Sequence, residues 1–129
     1  MATLAALAVV ACGGGLRTVP TGPHSSGGTA YVVVQSKPPP AKVENIPEIF
    51  DDACLWLDGR WEWASGTWEW RPGEWVRLPG PFAECHYAVP ESLWVPAAGK
   101  ALLFYLPGRW YRQDGAPCGD PPPCEKRGK

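Results

Sequence analysis

Between positions 56 and 75 large aromatic residues recur at a fixed interval. The chain runs Trp56-Leu57-Asp58-Gly59-Arg60-Trp61-Glu62, then Trp63-Ala64-Ser65-Gly66-Thr67-Trp68-Glu69, then Trp70-Arg71-Pro72-Gly73-Glu74-Trp75-Val76. The unit is Trp-x-x-Gly-x-Trp-x at a period of seven. A decayed copy spans Arg77 to Phe82, and another stands at Tyr105-Leu106-Pro107-Gly108-Arg109-Trp110-Tyr111. A glycine in every unit excludes a heptad coiled coil, because glycine is costly inside a helix. Alternation between the glycines predicts short strands. The turns fall at Asp58-Gly59, Ser65-Gly66, Pro72-Gly73 and Pro79-Gly80, where glycine accepts the positive φ of a tight hairpin. Proline at the first turn position favours a wider type II turn, so the Pro-Gly connections are expected to lengthen or bulge.

Counting from these turns sets a register. Trp56 faces Trp61, Trp63 faces Trp68, Trp61 faces Trp70, Trp70 faces Trp75, and Arg77 lies beside Trp68. Trp56, Trp61, Trp63, Trp68, Trp70 and Trp75 then share one face of the sheet. Leu57, Arg60, Glu62, Ala64, Thr67, Glu69, Arg71 and Glu74 share the other, and Glu62 stands opposite Glu69. Further apolar runs at Leu93-Trp94-Val95, Ala101 to Leu106 and Trp110-Tyr111 are expected to cover the tryptophan face, with Tyr105 opposite Trp110 across Pro107-Gly108. The expected fold is all-β: an antiparallel meander of six to eight short strands forming a small sandwich or half-open barrel.

A disordered tether precedes that domain. From Gly13 to about Glu48 the chain is rich in Gly, Pro, Ser and Thr, and Pro38-Pro39-Pro40 favours polyproline II. Tyr31-Val32-Val33-Val34 is either an edge strand docked on the domain or an extended segment without a partner. Residues 1–11 are small or apolar and too short to span a bilayer as a helix. They suit a signal peptide, and Val9-Val10-Ala11-Cys12 resembles the bacterial lipobox, which implies lipidation at Cys12. The expected partition is a signal peptide at 1–11, a lipid-anchored tether at 12–48, a Trp-rich β-repeat domain at 49–118 and a Pro-rich charged tail at 119–129. The location that follows is the bacterial cell envelope, anchored in the outer membrane.

Composition narrows the function. At 129 residues, 19% charged and with a net charge of −1, the chain is one domain at most and no basic nucleic-acid binder. Fifteen glycines and 16 prolines point to irregular chain, while eight tryptophans point to a packed part. With Cys12 lipidated, Cys54, Cys85, Cys118 and Cys124 remain as candidates for two disulfides. Three connectivities exist, and Cys54–Cys85 with Cys118–Cys124 comes first because it closes the repeat block and then the tail. A metal site on Cys85, His86, Cys118 and Cys124 has suitable ligands but lacks Cys-x-x-Cys spacing. His24 and His86 belong to no nucleophile motif. Glu62 and Glu69 read as a solvated face softened by Arg60 and Arg71 rather than a hydrolytic pair. No catalytic residue, cofactor or metal is assigned.

The block resembles the WXXGXW (YXWGXW) repeat family of bacterial exported proteins and lipoproteins. The resemblance rests on Trp56 to Gly59 with Trp61, Trp63 to Gly66 with Trp68, Trp70 to Gly73 with Trp75, and Tyr105 to Gly108 with Trp110. Pro38-Pro39-Pro40 and Val43-Glu44-Asn45-Ile46-Pro47 look like the Pro-rich lead-in of such proteins. It covers roughly half the chain and implies an envelope location without an established activity. The chain departs from the pattern between Ala83 and Leu102 and in its four further cysteines. The expected role is a non-enzymatic envelope lipoprotein acting as a scaffold or interaction module for an envelope protein. The rival is a cell-wall glycan module that stacks sugars on Trp56, Trp61, Trp70 and Trp75, set against most indoles being core.

Overall fold

The computed structural model describes residues 16–25, 31–49 and 51–124. The protein is all-β, with nine strands among the described residues, in small antiparallel sheets. They are β1 (Val32–Val34), β2 (Cys54–Leu57), β3 (Arg60–Ala64), β4 (Thr67–Arg71), β5 (Glu74–Arg77), β6 (Cys85–Ala88), β7 (Glu91–Ala97), β8 (Lys100–Leu106) and β9 (Arg109–Arg112).

These strands build two long ribbons. In the first, β2 pairs with β5 from Cys54↔Arg77 to Leu57↔Glu74, and β3 pairs with β4 from Arg60↔Arg71 to Ala64↔Thr67. One register runs through both pairs, so the chain reverses only at Ser65-Gly66. Both turn residues have positive φ, 52° and 82°, as a type I′ turn requires. In the second, β6 pairs with β9 and β7 with β8, again on one register. Its turn is Ala98-Gly99, with φ of 48° and 78°. β1 adds an edge strand through Val32↔Tyr105 and Val34↔Leu103.

This corrects the expected meander at several points. Asp58-Gly59 and Pro72-Gly73 are not turns; they face each other across a break in the first ribbon. Proline at 72 has no N–H for the ladder, and the second ribbon breaks likewise where Pro90 and Pro107 meet. Trp56 therefore faces Trp75 instead of Trp61, and Trp110 faces Tyr87 instead of Tyr105. Arg77 stands opposite Cys54 and pairs with the Asp51 carboxylate instead of lying beside Trp68. Leu57, expected on the polar face, is buried. The pairs Trp61↔Trp70, Glu62↔Glu69 and Trp63↔Trp68, all counted from Ser65-Gly66, stand as expected.

The glycines at the breaks make room for cross-strand rings. A β-carbon on Gly73 would meet Trp56 Cη2 at 2.9 Å and the Leu57 carbonyl at 2.8 Å. On Gly59 it would strike the Trp70 ring and on Gly108 the Tyr87 hydroxyl. One rule covers all three. In these three Gly-x-Trp units the aromatic side chain paired with the tryptophan lies over the glycine, whereas Gly66, at the hairpin turn, has nothing over it.

Two irregular segments tie the ribbons together. Residues 16–22 run alongside both first arms: Val19 donates to the Trp56 carbonyl at 3.0 Å and Gly22 to the Tyr87 carbonyl at 3.1 Å. The C-terminal segment pairs with both second arms, Cys118 donating to the Trp110 carbonyl at 2.9 Å and Cys124 to the Trp75 carbonyl at 2.8 Å. That segment carries one cysteine of each disulfide, Cys54–Cys124 and Cys85–Cys118. The connectivity placed first on sequence is thus replaced, because the tail returns along both ribbons instead of closing on itself. The thiols considered for a metal are spent in these bridges.

Two apolar clusters result. Val19, Leu57, Val76, Cys85, Tyr87 and Trp110 pack where the ribbons meet at their bases. Val34, Leu103 and Tyr105 pack against Trp63 and Trp68 near the tip of the first ribbon. The Tyr105 hydroxyl donates to the Trp61 carbonyl at 2.6 Å and so links the ribbons, whereas the buried Tyr87 hydroxyl has no hydrogen-bond partner among the described residues. Tyr105→Phe should therefore cost about 1 kcal/mol in a urea titration, and Tyr87→Phe should be neutral or stabilising.

Burial pushes both phenols up to about 12 from 10.0. The neutral phenol is the form the fold accepts. Its contribution is complete below pH 10 and is lost as pH rises toward 12. Denaturant midpoints measured across that window should fall, and should fall less in the Tyr87→Phe, Tyr105→Phe double variant.

Candidate binding site

The first ribbon stacks its tryptophans as three edge-to-face pairs. From base to tip they are Trp56–Trp75, Trp61–Trp70 and Trp63–Trp68, with centroids 5.4, 5.3 and 5.0 Å apart. Such pairs add to plain area burial because the positive edge of one ring meets the negative face of the other. Tyr105 continues the stack, 4.9 Å from Trp68.

An indole buried on its apolar body still needs an acceptor for its N–H. Here the acceptors come mainly from the stretch read as a tether. Trp68 Nε1 donates to the Ser36 carbonyl at 3.2 Å, and Trp61 Nε1 to the Pro40 carbonyl at 3.1 Å. Trp70 Nε1 donates to Glu44 Oε2 at 3.2 Å, and Trp75 Nε1 to the Pro47 carbonyl at 2.8 Å. Residues 36–47 thus descend the ladder from tip to base as a strap. The reason is chemical: a Pro-rich extended chain has no internal hydrogen bonds, so its carbonyls are available. Lys42 sits over the Trp61 ring with Nζ 5.3 Å from the centroid.

Glu44 is the anchor of the strap. Its carboxylate accepts from Trp70 and also from the Gly73 amide at 2.9 Å. That amide lies at the ribbon break. Beside it, Ala41, Lys42, Glu44, Ile46, Trp56, Asp58, Gly59 and Trp70 line a cavity of about 280 Å³.

The residues singled out for ring stacking fall in different settings. Trp56 is 3% exposed and donates to Asp58 Oδ1 at 2.8 Å, so it belongs to the core of the ladder. Trp61, Trp70 and Trp75 are half-buried with their N–H groups engaged. Cys12 lies outside the described residues. Leu93 and Trp94 on β7, expected to help cover the tryptophan face, are 40% and 54% exposed instead. Glu44, Ser36, Pro40 and Pro47 were missed as site residues. The available signal was a run of prolines upstream of a set of half-buried indoles.

The charged face is less solvated than expected: the Arg60 side chain is 13% exposed and lies over the Tyr87 ring. Arg60 and Arg71 lie 3.4 and 3.3 Å from Glu62 and offset its repulsion with Glu69. Both imidazoles meet backbone oxygens: His24 Nε2 is 2.6 Å from the Val89 carbonyl, and His86 Nε2 is 3.0 Å from that of Pro23. Among the described residues no group of three or more His, Cys, Asp or Glu could hold a metal ion.

Comparison with protein-family models, with curated proteins and with solved structures returns no match.

Proposed function

We propose that this chain is a non-enzymatic interaction module of the bacterial cell envelope, lipid-anchored through Cys12 and presenting the tryptophan ladder to an envelope protein. The observation that carries the proposal is the ladder itself. It is a row of indole donors on one ribbon that meet three backbone carbonyls and one carboxylate of an extended segment. Support for export comes from the two disulfides, which persist in oxidising compartments. The lipobox-like Val9-Val10-Ala11-Cys12 and the repeat pattern shared with exported lipoproteins point the same way.

Labelling cells with a clickable fatty acid tests the anchor. The chain should incorporate the label and fractionate with membranes, and Cys12→Ser should abolish both. Absence of label in the unaltered chain would remove the anchor from the proposal.

A second function, binding of cell-wall glycan, is favoured by the exposure of Trp94 beside the partly exposed Leu93 on β7. Tryptophan emission decides between them. A saturable shift on adding peptidoglycan fragments, lost in Trp94→Ala, supports the glycan function. Emission unmoved by such fragments leaves the protein-interaction module.

A further inference from the structure

We propose that the tryptophan ladder is a groove for a proline-rich, extended peptide bearing a carboxylate. Residues 36–47 fill it in cis until such a peptide from a partner protein displaces them. The proposal deepens the interaction-module function and depends on it.

Four observations carry it. First, the bound strap shows what the groove recognises. Trp68, Trp61 and Trp75 donate to the backbone carbonyls of Ser36, Pro40 and Pro47. Carbonyls on an extended, internally unbonded chain are the feature that aromatic-lined grooves use to recognise polyproline peptides. Any proline-rich segment offers them.

Second, the groove reads an acidic side chain of the strap, besides the Ser36 hydroxyl that meets Trp68 Nε1 at 3.2 Å. The Glu44 carboxylate takes N–H donors from Trp70 and from the Gly73 amide. Charge-assisted bonds of this kind are roughly twice as strong as neutral ones, so a competing peptide needs an acid at this position.

Third, the strap is shallow. Val43 is 101% exposed and Ile46 38%. Neither apolar cluster includes any residue from 36 to 47. The strap can therefore lift without unpacking either cluster, and both disulfides stay closed.

Fourth, the rings are only half-buried with the strap in place. Lifting it would bare Trp61, Trp68, Trp70 and Trp75 along one strip, a surface that soluble chains normally keep covered.

The test uses the full oxidised chain with nitrogen-15-labelled indoles. The probe is a synthetic peptide of residues 35–48, with a second peptide carrying Glu44→Gln. The comparison protein carries Glu44→Gln, Pro38→Gly and Pro40→Gly, which weaken the strap and leave every ribbon residue intact. The native-sequence peptide should shift the indole signals of Trp61, Trp68, Trp70 and Trp75 saturably in the strap variant. It should bind the unaltered chain at least about tenfold more weakly, because the cis strap competes at high effective concentration. The Glu44→Gln peptide should bind the strap variant about tenfold more weakly than the native peptide.

Absence of a saturable shift, equal affinity for both proteins, or the same four shifts produced by N-acetylglucosamine oligomers instead would each overturn the proposal. If the strap variant fails to fold, the unaltered chain decides by relaxation dispersion. One exchange process shared by the four indoles and the strap amides is expected; flat or unrelated profiles overturn it. Fatty-acid labelling at Cys12 is unaffected by any of these results, so failure of the peptide site is distinguishable from failure of the envelope assignment.

Discussion

Reducing the two disulfides should unfold this chain. Cys54–Cys124 spans 70 residues and Cys85–Cys118 spans 33. In the loop-closure picture each restricts the unfolded chain by about 4 kcal/mol. The second loop lies within the first, so the two contributions do not simply add. Together they still approach the whole stability of a small domain, roughly 5–15 kcal/mol. The remaining core is thin: among the described residues fourteen hydrophobic side chains are buried, nine of them gathered in two clusters. Near-ultraviolet circular dichroism should collapse in reductant at neutral pH. The Cys54→Ala, Cys124→Ala pair should keep a fold but lose about 4 kcal/mol in a urea titration. A loss below about 1 kcal/mol would place the stability in the ribbons instead, since a net hydrogen bond is worth about that much.

Substituting the glycines beneath the rings should be the next most damaging change. Gly73→Ala drives a methyl against the Trp56 ring and into the Leu57 carbonyl at 2.8 Å. A carbonyl locked in a paired strand cannot retreat, so the expected cost is about 3 kcal/mol, at the upper end of overpacking. Gly108→Ala should cost as much, because the Tyr87 hydroxyl occupies the space. At Gly66 a β-carbon meets nothing within 4 Å, and only the φ of 82° opposes it. Gly66→Ala should therefore cost about 1 kcal/mol. Gly66→Val should still hurt more than Thr67→Val, which has no positive φ to violate. A double-mutant cycle isolates the cause: Trp56→Leu should restore part of what Gly73→Ala removes. Equal costs at Gly66 and Gly73 would count against the ring-over-glycine account.

The seven-residue repeat made the strands and the inner tryptophan pairs legible, because Ser65-Gly66 sits at the centre of the block. Counting outward from that one turn gives Trp63↔Trp68 and Trp61↔Trp70 correctly. It also gives Trp56↔Trp75, provided no second turn is allowed at Asp58-Gly59. The error was local: Asp-Gly is a strong hairpin signal, and nothing nearby says that this glycine lies under Trp70. The Ala98-Gly99 turn lies where the repeat has lapsed, and alanine at positive φ carries no turn signal. The strap was illegible for a different reason. Polyproline II has no alternation of faces, so its docking partner leaves no periodic trace in the strap itself. The disulfide pairing depended on the path of the tail, which is set by backbone bonds to Trp75 and Trp110 rather than by any side-chain pattern.

The placement of both second cysteines in the tail has a consequence for biogenesis. A nascent chain emerging from its N-terminus exposes Cys54 and Cys85 before Cys118 or Cys124 has appeared. During that interval, with Cys12 lipidated as proposed, the two early thiols have only each other to oxidise against. The mismatched Cys54–Cys85 bond is then the natural kinetic trap, and thiol–disulfide exchange must undo it once the tail arrives. Maturation of this protein would thus need an isomerase as well as an oxidase, since the oxidant removes the four electrons that two disulfides require and exchange then moves the bonds to their final partners.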